Sequence, residues 1–479
     1  MTRGSILFAA ALFLGGSLFA QIDDATKQFS RDILKQLIEI NTTDSSGDNT
    51  AAAEAMAKRL RDAGFPASDV TVLTPPGRKN KGNMVARLRG PAGGALKPIL
   101  LLGHLDVVEA LRADWTTDPF QLVEKDGYFY GRGTQDMKSQ DVALVITFIR
   151  MKREGYRPPR DLILALTSDE EGGTANGVDW LLQNHRDLID AEFVLNADAG
   201  GVNTEKGKPV DVEIAATEKL YADFQLTVTN SGGHSSMPVP DNAIYHLADA
   251  LGRLQHSPFP AELNGVTRAY FEKLATHDKQ AADMKAMLRD PRDTAAIARL
   301  SADPHYNSLL HTTCVATRLN AGHANNALPQ TAQAVVNCRI LPGHGPEEVR
   351  QELIRKLADP KVVVRYLDSK TEKAVDRAPD RPGLIPAAPR QDVVKAMEHV
   401  ADTMWPGAPV VVDMETGASD SKYTLAAGMA SFGVGELAVD HDDVRAHGKD
   451  ERVRVGSFYE CVDFFYRYLR ALTAQPSAR

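Results

Sequence analysis

The chain has 479 residues, 43% of them hydrophobic and 25% charged, with a formal net charge of -8. That length exceeds one simple domain, and the mixture is that of an ordinary globular protein with a large core. The acidic balance offers none of the basic surface that nucleic-acid binding requires.

The first twenty residues stand apart. Arg3 precedes an apolar stretch from Ile6 to Phe19, broken only by Gly15, Gly16 and Ser17, and Ala20 is a small residue ahead of Gln21. This pattern predicts a secretory signal peptide over 1–20. The competing reading is an uncleaved membrane anchor, against which the shortness of the run argues. Beyond it, no segment has the roughly 18 consecutive apolar residues of a membrane span. A secreted or periplasmic protein with no stable span after cleavage is therefore expected.

Helical spacing covers 25–40 and 50–63, the second stopped by Gly64. Strand-like runs follow at 70–73, 83–88 and 98–102. The run Ile99-Leu100-Leu101-Leu102 has the continuous apolar character of a strand buried on both faces. A helix is expected over 141–151, then strands over 161–166 and 193–195. Strands alternating with helices predict an α/β catalytic domain with a mostly parallel sheet, its first part spanning 21–217.

Near Glu218 the pattern changes. Residues 221–229 alternate as a half-exposed strand, 242–254 are helical, 261–310 are polar and helix-rich, and 314–319, 332–340 and 362–367 read as strands. We read 218–380 as an inserted α+β lid or dimerisation domain. The linker-like Arg377-Ala378-Pro379-Asp380-Arg381-Pro382-Gly383 ends it. A helix over 393–404 opens the second part of the catalytic domain, 381–479. Of the three cysteines, Cys314 and Cys338 fall in strand-like segments; a disulfide between them and three buried thiols fit equally well.

Chemistry-bearing residues collect just beyond the apolar strands, where open α/β sheets place their ligands. The first run ends Gly103-His104-Leu105-Asp106, and in extended chain Asp106 would share a face with His104 and orient its ring. Next comes Gly131-Arg132-Gly133-Thr134-Gln135-Asp136-Met137-Lys138, with Asp136 opening a helix. The third strand runs into Asp169-Glu170-Glu171-Gly172-Gly173 and the fourth into Asn196-Ala197-Asp198. Each alone has an ordinary reading: a strand-end histidine, a helix cap, a solvated acidic loop. Together they place one histidine and several acids in an apolar setting, which is costly without a cation. A pair of metals sharing a carboxylate would account for the number of ligands.

With Ser231-Gly232-Gly233-His234-Ser235-Ser236 and a late histidine, these motifs resemble, in the same order along nearly the whole chain, the co-catalytic di-zinc metallopeptidases. That family includes aminoacylase, glutamate carboxypeptidase, succinyl-diaminopimelate desuccinylase and related dipeptidases. The resemblance implies that Asp136 bridges two metals, that His104 and Asp198 complete one site, and that Glu171 and His447 complete the other. Glu170 would be the general base and Asp106 the partner of His104. A cis peptide is expected at Asp136-Met137. Between His441 and His447, the acidic pair Asp450-Glu451 favours His447. His234 would reach the oxyanion from the inserted domain, often from the partner subunit of a dimer. Asn326, Arg339 and Gly417 would line the substrate pocket.

The implied cofactor is two divalent ions, zinc foremost, with cobalt and manganese as alternatives. The implied reaction is cleavage of the amide bond of a small peptide with a free C-terminal carboxylate, by a carboxypeptidase or dipeptidase. An N-acyl-amino-acid amidohydrolase is the alternative, and a non-catalytic binding protein on the same scaffold the remote one. A homodimer is an open expectation, because the stretch from 258 to 310 is longer than in compact dimeric members.

Overall fold

The computed structural model describes residues 22–474, apart from 277, 369–370, 372 and 380–388. The expected signal segment and the end of the expected linker lie outside the described residues.

A ten-stranded sheet forms the larger body. Its order is Val70–Leu73, Asn83–Leu88, Leu162–Thr167, Ile99–His104, Phe193–Asn196, Ala430–Gly433, Lys208–Glu218, Gly201–Glu205 and Ala438–Asp440, with Val410–Glu415 also paired to Lys208–Glu218. Leu162–Thr167 and Ile99–His104 are buried along their whole lengths. The four central strands, from Leu162–Thr167 to Ala430–Gly433, run parallel. Their carboxyl ends therefore open on one edge. This is the α/β architecture with a large, mostly parallel sheet that the apolar runs predict.

Helices close the faces for local reasons. Asp24–Glu39 starts where the Asp23 side chain accepts the N–H of Thr26, and it buries Ile33, Leu34, Leu37 and Ile38 on one side. Lys138–Arg153 is buried over nearly its whole surface, packed between the sheet and the long C-terminal helix Val455–Ala474. No helix among the described residues is long and apolar enough to cross a membrane.

After Glu218 the chain enters a second, five-stranded antiparallel sheet. Its order is Thr313–Ala321, Thr331–Ile340, Leu220–Thr229, Val363–Asp368 and Lys373–Val375. Alternate residues Ala222, Phe224, Leu226 and Val228 bury one face against Leu247 and Ala250 of helix Ala243–Gln255 and Val349 and Leu353 of helix Pro346–Leu357. Cys314 and Cys338, directly opposite one another on neighbouring strands, form a disulfide; Cys461 is a free, buried thiol.

The helical stretch after residue 261, read in the sequence together with this sheet, packs elsewhere. Tyr270, Phe271, Met284, Leu300 and Leu309 join the core of the larger sheet, which includes Val411 and Met414. An amphipathic pattern fixes which face of a helix is buried but not which body receives it.

Candidate metal centre

His104 is the last residue of its strand and is fully enclosed. The preceding glycine is required by space: a Cβ at Gly103 would lie 2.4 Å from Oδ1 of Asp141, which rises from helix Lys138–Arg153. The His104 ring carries Nε2 to 3.2 Å from Oδ1 of Asp136 and 3.4 Å from Oδ1 of Asp198. Asp198 follows the neighbouring parallel strand Phe193–Asn196, and Glu170 and Glu171 follow Leu162–Thr167. Three strand ends thus deliver their side chains to one place.

The other ring nitrogen corrects an expectation. Nδ1 of His104 lies 3.1 Å from the backbone carbonyl of Asp106, while the Asp106 carboxylate is 3.6 Å away. The strand ends at His104, so the alternation that would align residues 104 and 106 does not continue. The carboxylate instead accepts the N–H of Glu170 at 3.1 Å and of Glu171 at 2.9 Å. Asp106 therefore fixes the tautomer of His104 through its main chain and the acidic loop through its side chain.

Asp136 precedes the cis peptide Asp136-Met137. Its Oδ1 faces His104, and its Oδ2 lies 3.0 Å from Nε2 of His447, which is also 2.9 Å from Oε1 of Glu171. One carboxylate stands between two histidines. His441 is exposed, and its N–H donates to the carbonyl of Thr204 at 3.1 Å; His447 is the late histidine that joins the cluster.

The donor set suits divalent cations. The ligand atoms of His104, Asp136 and Glu171 lie within 4.8 Å of one another, as do those of His104, Glu170 and Asp198. Nε2 of His104 and Oδ1 of Asp136 are buried with no hydrogen-bond partner, a costly state for polar atoms that a cation would relieve. On the protein's own charges, burial and the neighbouring acids push Asp198 up to about 7. Burial, then Asp198, hold Glu170 well above the usual carboxylate range, with His104 and Lys422 opposing. Imidazole and carboxylate donors suit zinc, cobalt and manganese alike.

Several supports of this centre carry no sequence motif. Asp169 adopts a left-handed φ of 60° and is held by Nζ of the buried Lys81 at 2.5 Å. Asp420 accepts hydrogen bonds from Asn176 at 2.6 Å and Thr167 at 3.3 Å, behind the acidic loop. A lysine nearly ninety residues before its partner and an acid in a polar loop give no local signal.

The expected recognition residues lie on other elements. Gly233–His234 pairs with Ala327–Leu328, and the N–H of Ser235 donates to the carbonyl of Asn326, so His234 and Asn326 share one small ladder, both exposed. Arg339 lies on the open face of the five-stranded sheet, its guanidinium 4.8 Å from the centroid of the Tyr221 ring. The N–H of Gly417 donates to Oε1 of Glu415 at 3.1 Å. Among the described contacts, none joins these four residues to the histidine–carboxylate cluster.

Comparison with known proteins agrees with the geometry. Residues 100–471 match the sequence pattern of peptidase family M20/M25/M40. The chain belongs to this family. As a member of peptidase family M20/M25/M40, it is a metal-dependent hydrolase of amide bonds. It is 30% identical over 392 residues to a probable carboxypeptidase S-like 2 of Dictyostelium discoideum, covering 78% of this chain and 72% of that one. It is 29% identical over 455 residues to the human N-fatty-acyl-amino acid synthase/hydrolase PM20D1, covering 92% and 87%. The fold matches the M20 family metallo-carboxypeptidase Sso-CP2 of Sulfolobus solfataricus with a TM-score of 0.69 at 18% identity, over 95% of this chain and 100% of that one.

Proposed function

We propose that the protein is an exported di-metal hydrolase that removes the C-terminal amino acid from small peptides, as a carboxypeptidase or dipeptidase. The observation that carries this reading is Asp136, one carboxylate set between His104 and His447, with Glu170 grouped beside His104 and Asp198. His104 and Asp198 would hold one ion, Glu171 and His447 the other, and Asp136 both. Two such ions supply Lewis-acid polarisation of a carbonyl and a water of lowered pKa.

Glu170 takes a proton from the attacking water and returns it to the leaving nitrogen. Asp106 keeps Glu170 in place through its N–H. The five-stranded sheet and its two helices form the lid, entered at Lys219. From it, His234 donates to the developing oxyanion, while Arg339 and Asn326 hold the substrate carboxylate and Gly417 lines the opposite wall.

The outer edge of Thr313–Ala321 has no strand partner among the described residues and exposes Val315 and Leu319 by 60% and 67%. Open apolar strand edges favour pairing, which supports a homodimer joined through the lid. The Cys314–Cys338 disulfide and the amino-terminal sequence support export.

A second reading, an N-acyl-amino-acid hydrolase, is favoured by the human relative aligned over 92% of the chain. It needs the same centre and differs in what the acyl side of the pocket accepts. The complete set of ligand residues and Glu170 argue against a non-catalytic binding role.

The test is hydrolysis of paired dipeptides and N-acyl amino acids that share a C-terminal residue, with and without chelator. Chelator-sensitive release from the dipeptides supports the first reading, and preference for the acyl half supports the second. Cleavage that survives removal of all metal would overturn both.

A further inference from the structure

Asp136 and His447 come from segments far apart in the sequence, and their loops are bonded to each other through side chains outside the ligand set. The Gln135 amide lies between them. Its Nε2 donates to the carbonyls of Asp443 at 3.1 Å and Arg452 at 2.7 Å. Its Oε1 accepts the N–H groups of Arg445 at 2.7 Å and Ala446 at 3.0 Å. All four hydrogen-bonding positions of the amide are used, three on the histidine loop and one on Arg452, which begins the strand that follows it.

The histidine loop answers through Glu451, which is completely buried. Its Oε1 accepts the N–H of Gln135 at 2.6 Å and of Asp136 at 3.2 Å. Its Oε2 accepts the N–H of Gly133 at 3.2 Å and Nη1 of Arg132 at 2.6 Å. Nη2 of Arg132 then donates to the carbonyls of Gly448 at 3.0 Å and His447 at 3.4 Å. His447 is thus bracketed by bonds to Ala446 on one side and Gly448 on the other.

The loop is also tied through Asp450 to Thr116 and through Asp443 to Arg445 and Arg452, and Nε2 of His447 meets Asp136 and Glu171, but the histidine itself is open to solvent. Its side chain is 54% exposed and its backbone φ is +61°, a conformation that a non-glycine residue keeps only when its surroundings impose it. His104 is the opposite case: 2% exposed and paired in the sheet with Thr167 of the neighbouring strand.

We propose that Gln135, with Arg132 and Glu451, is the positioning unit for His447, and that the ion held by Glu171 and His447 is the more weakly bound of the two. The inference rests on the two-ion reading above. Gln135 touches no ligand side chain and acts through the backbone that carries His447.

The test compares zinc content after dialysis and zinc titration calorimetry for the parent, Gln135→Leu, His447→Ala and the double variant. Thermal melting of each metal-free protein reports folding. The parent should bind two ions. Gln135→Leu should keep one ion at unchanged affinity and bind the second roughly 10- to 100-fold more weakly, the range for groups that orient metal ligands. Adding Gln135→Leu to His447→Ala should weaken binding no further, because the amide acts through that histidine.

Equal weakening of both ions, an unchanged second ion, or additive losses in the double variant would overturn the proposal. If Gln135→Leu does not fold, Arg132→Lys keeps a charge opposite Glu451 but gives up the arm to the His447 and Gly448 carbonyls. Selective weakening of one ion is again expected, and none would overturn the proposal. A parent that binds fewer than two ions fails before any substitution is made, and it removes the two-ion reading together with this inference.

Discussion

The two sheets treat polar groups in opposite ways. At the carboxyl edge of the ten-stranded sheet, apolar strands buried on both faces bring acids and a histidine together and leave Nε2 of His104 and Oδ1 of Asp136 without a hydrogen-bond partner, a state that a cation would relieve. On the five-stranded sheet one face is sealed by helices, and the other is an open array of hydrogen-bonding side chains. There Tyr221 donates to Asp223 at 2.6 Å and Asn337 to the same carboxylate at 2.8 Å. A cavity of about 630 Å³ on that face is bordered by Asp223, Gln225, Arg318 and Gln333. On the proposed reading the comparison teaches a division of labour: bond-breaking groups would stand at the edge of the buried core, and recognition would fall to a surface whose residues already satisfy one another.

Substitutions should separate the two regions. Glu170→Gln should lower kcat by about 10²–10⁴-fold, the contribution of a general acid–base group, with both ions retained by elemental analysis. Near-normal turnover would remove Glu170 from the mechanism. On the other sheet, replacing Cys314 and Cys338 by serine should cost about 3 kcal/mol of stability, as expected for a loop of that length. Urea melts would report the loss, and zinc content should stay unchanged; loss of zinc would mean that the regions are not independent.

Arg339→Leu should raise KM about tenfold, the order of one charged hydrogen-bonding contact, at constant kcat. The effect should disappear with substrates whose C-terminal carboxylate is an amide. Equal effects on both substrate types would detach Arg339 from carboxylate recognition.

The smallest effect concerns acid. Hydrogen bonds from Arg350, then Gln351 and the N–H of Ala378, hold the Glu347 carboxyl down to about 2. A depressed folded-state pKa stabilises above the ordinary glutamate value, and the contribution is lost as pH falls toward 2. The difference in melting temperature between the parent and Glu347→Gln should therefore be full at neutral pH and shrink from about pH 4.5 downward. A difference that grew on acidification would reverse the sign.

Much of this was legible in the sequence because burial leaves runs. Ile99-Leu100-Leu101-Leu102 and Leu162-Ile163-Leu164-Ala165-Leu166 announce strands covered on both sides, and the acids after them announce the edge where they open. What was not legible is what connects distant segments. Nothing around Gln135 says that its amide will fill the loop of His447, and nothing around Lys81 points to Asp169. The helices after residue 261 advertise an apolar face without naming the sheet that will take it. For Asp106 the sequence names the partner of His104 but not the atom: the main-chain carbonyl meets the ring, while the carboxylate, 3.6 Å from it, accepts the N–H groups of Glu170 and Glu171.

Gly103 and Asp141 carry a consequence for how this chain can vary. The glycine has little room for a methyl group, because Oδ1 of the enclosed Asp141 stands 2.4 Å and Cε of Met137 3.0 Å from where it would go. A larger residue at 103 therefore needs the side chains at 137 and 141 to give way. Volume thus couples position 103 to residues of the neighbouring helix and its entry, next to the residues that would hold the ions.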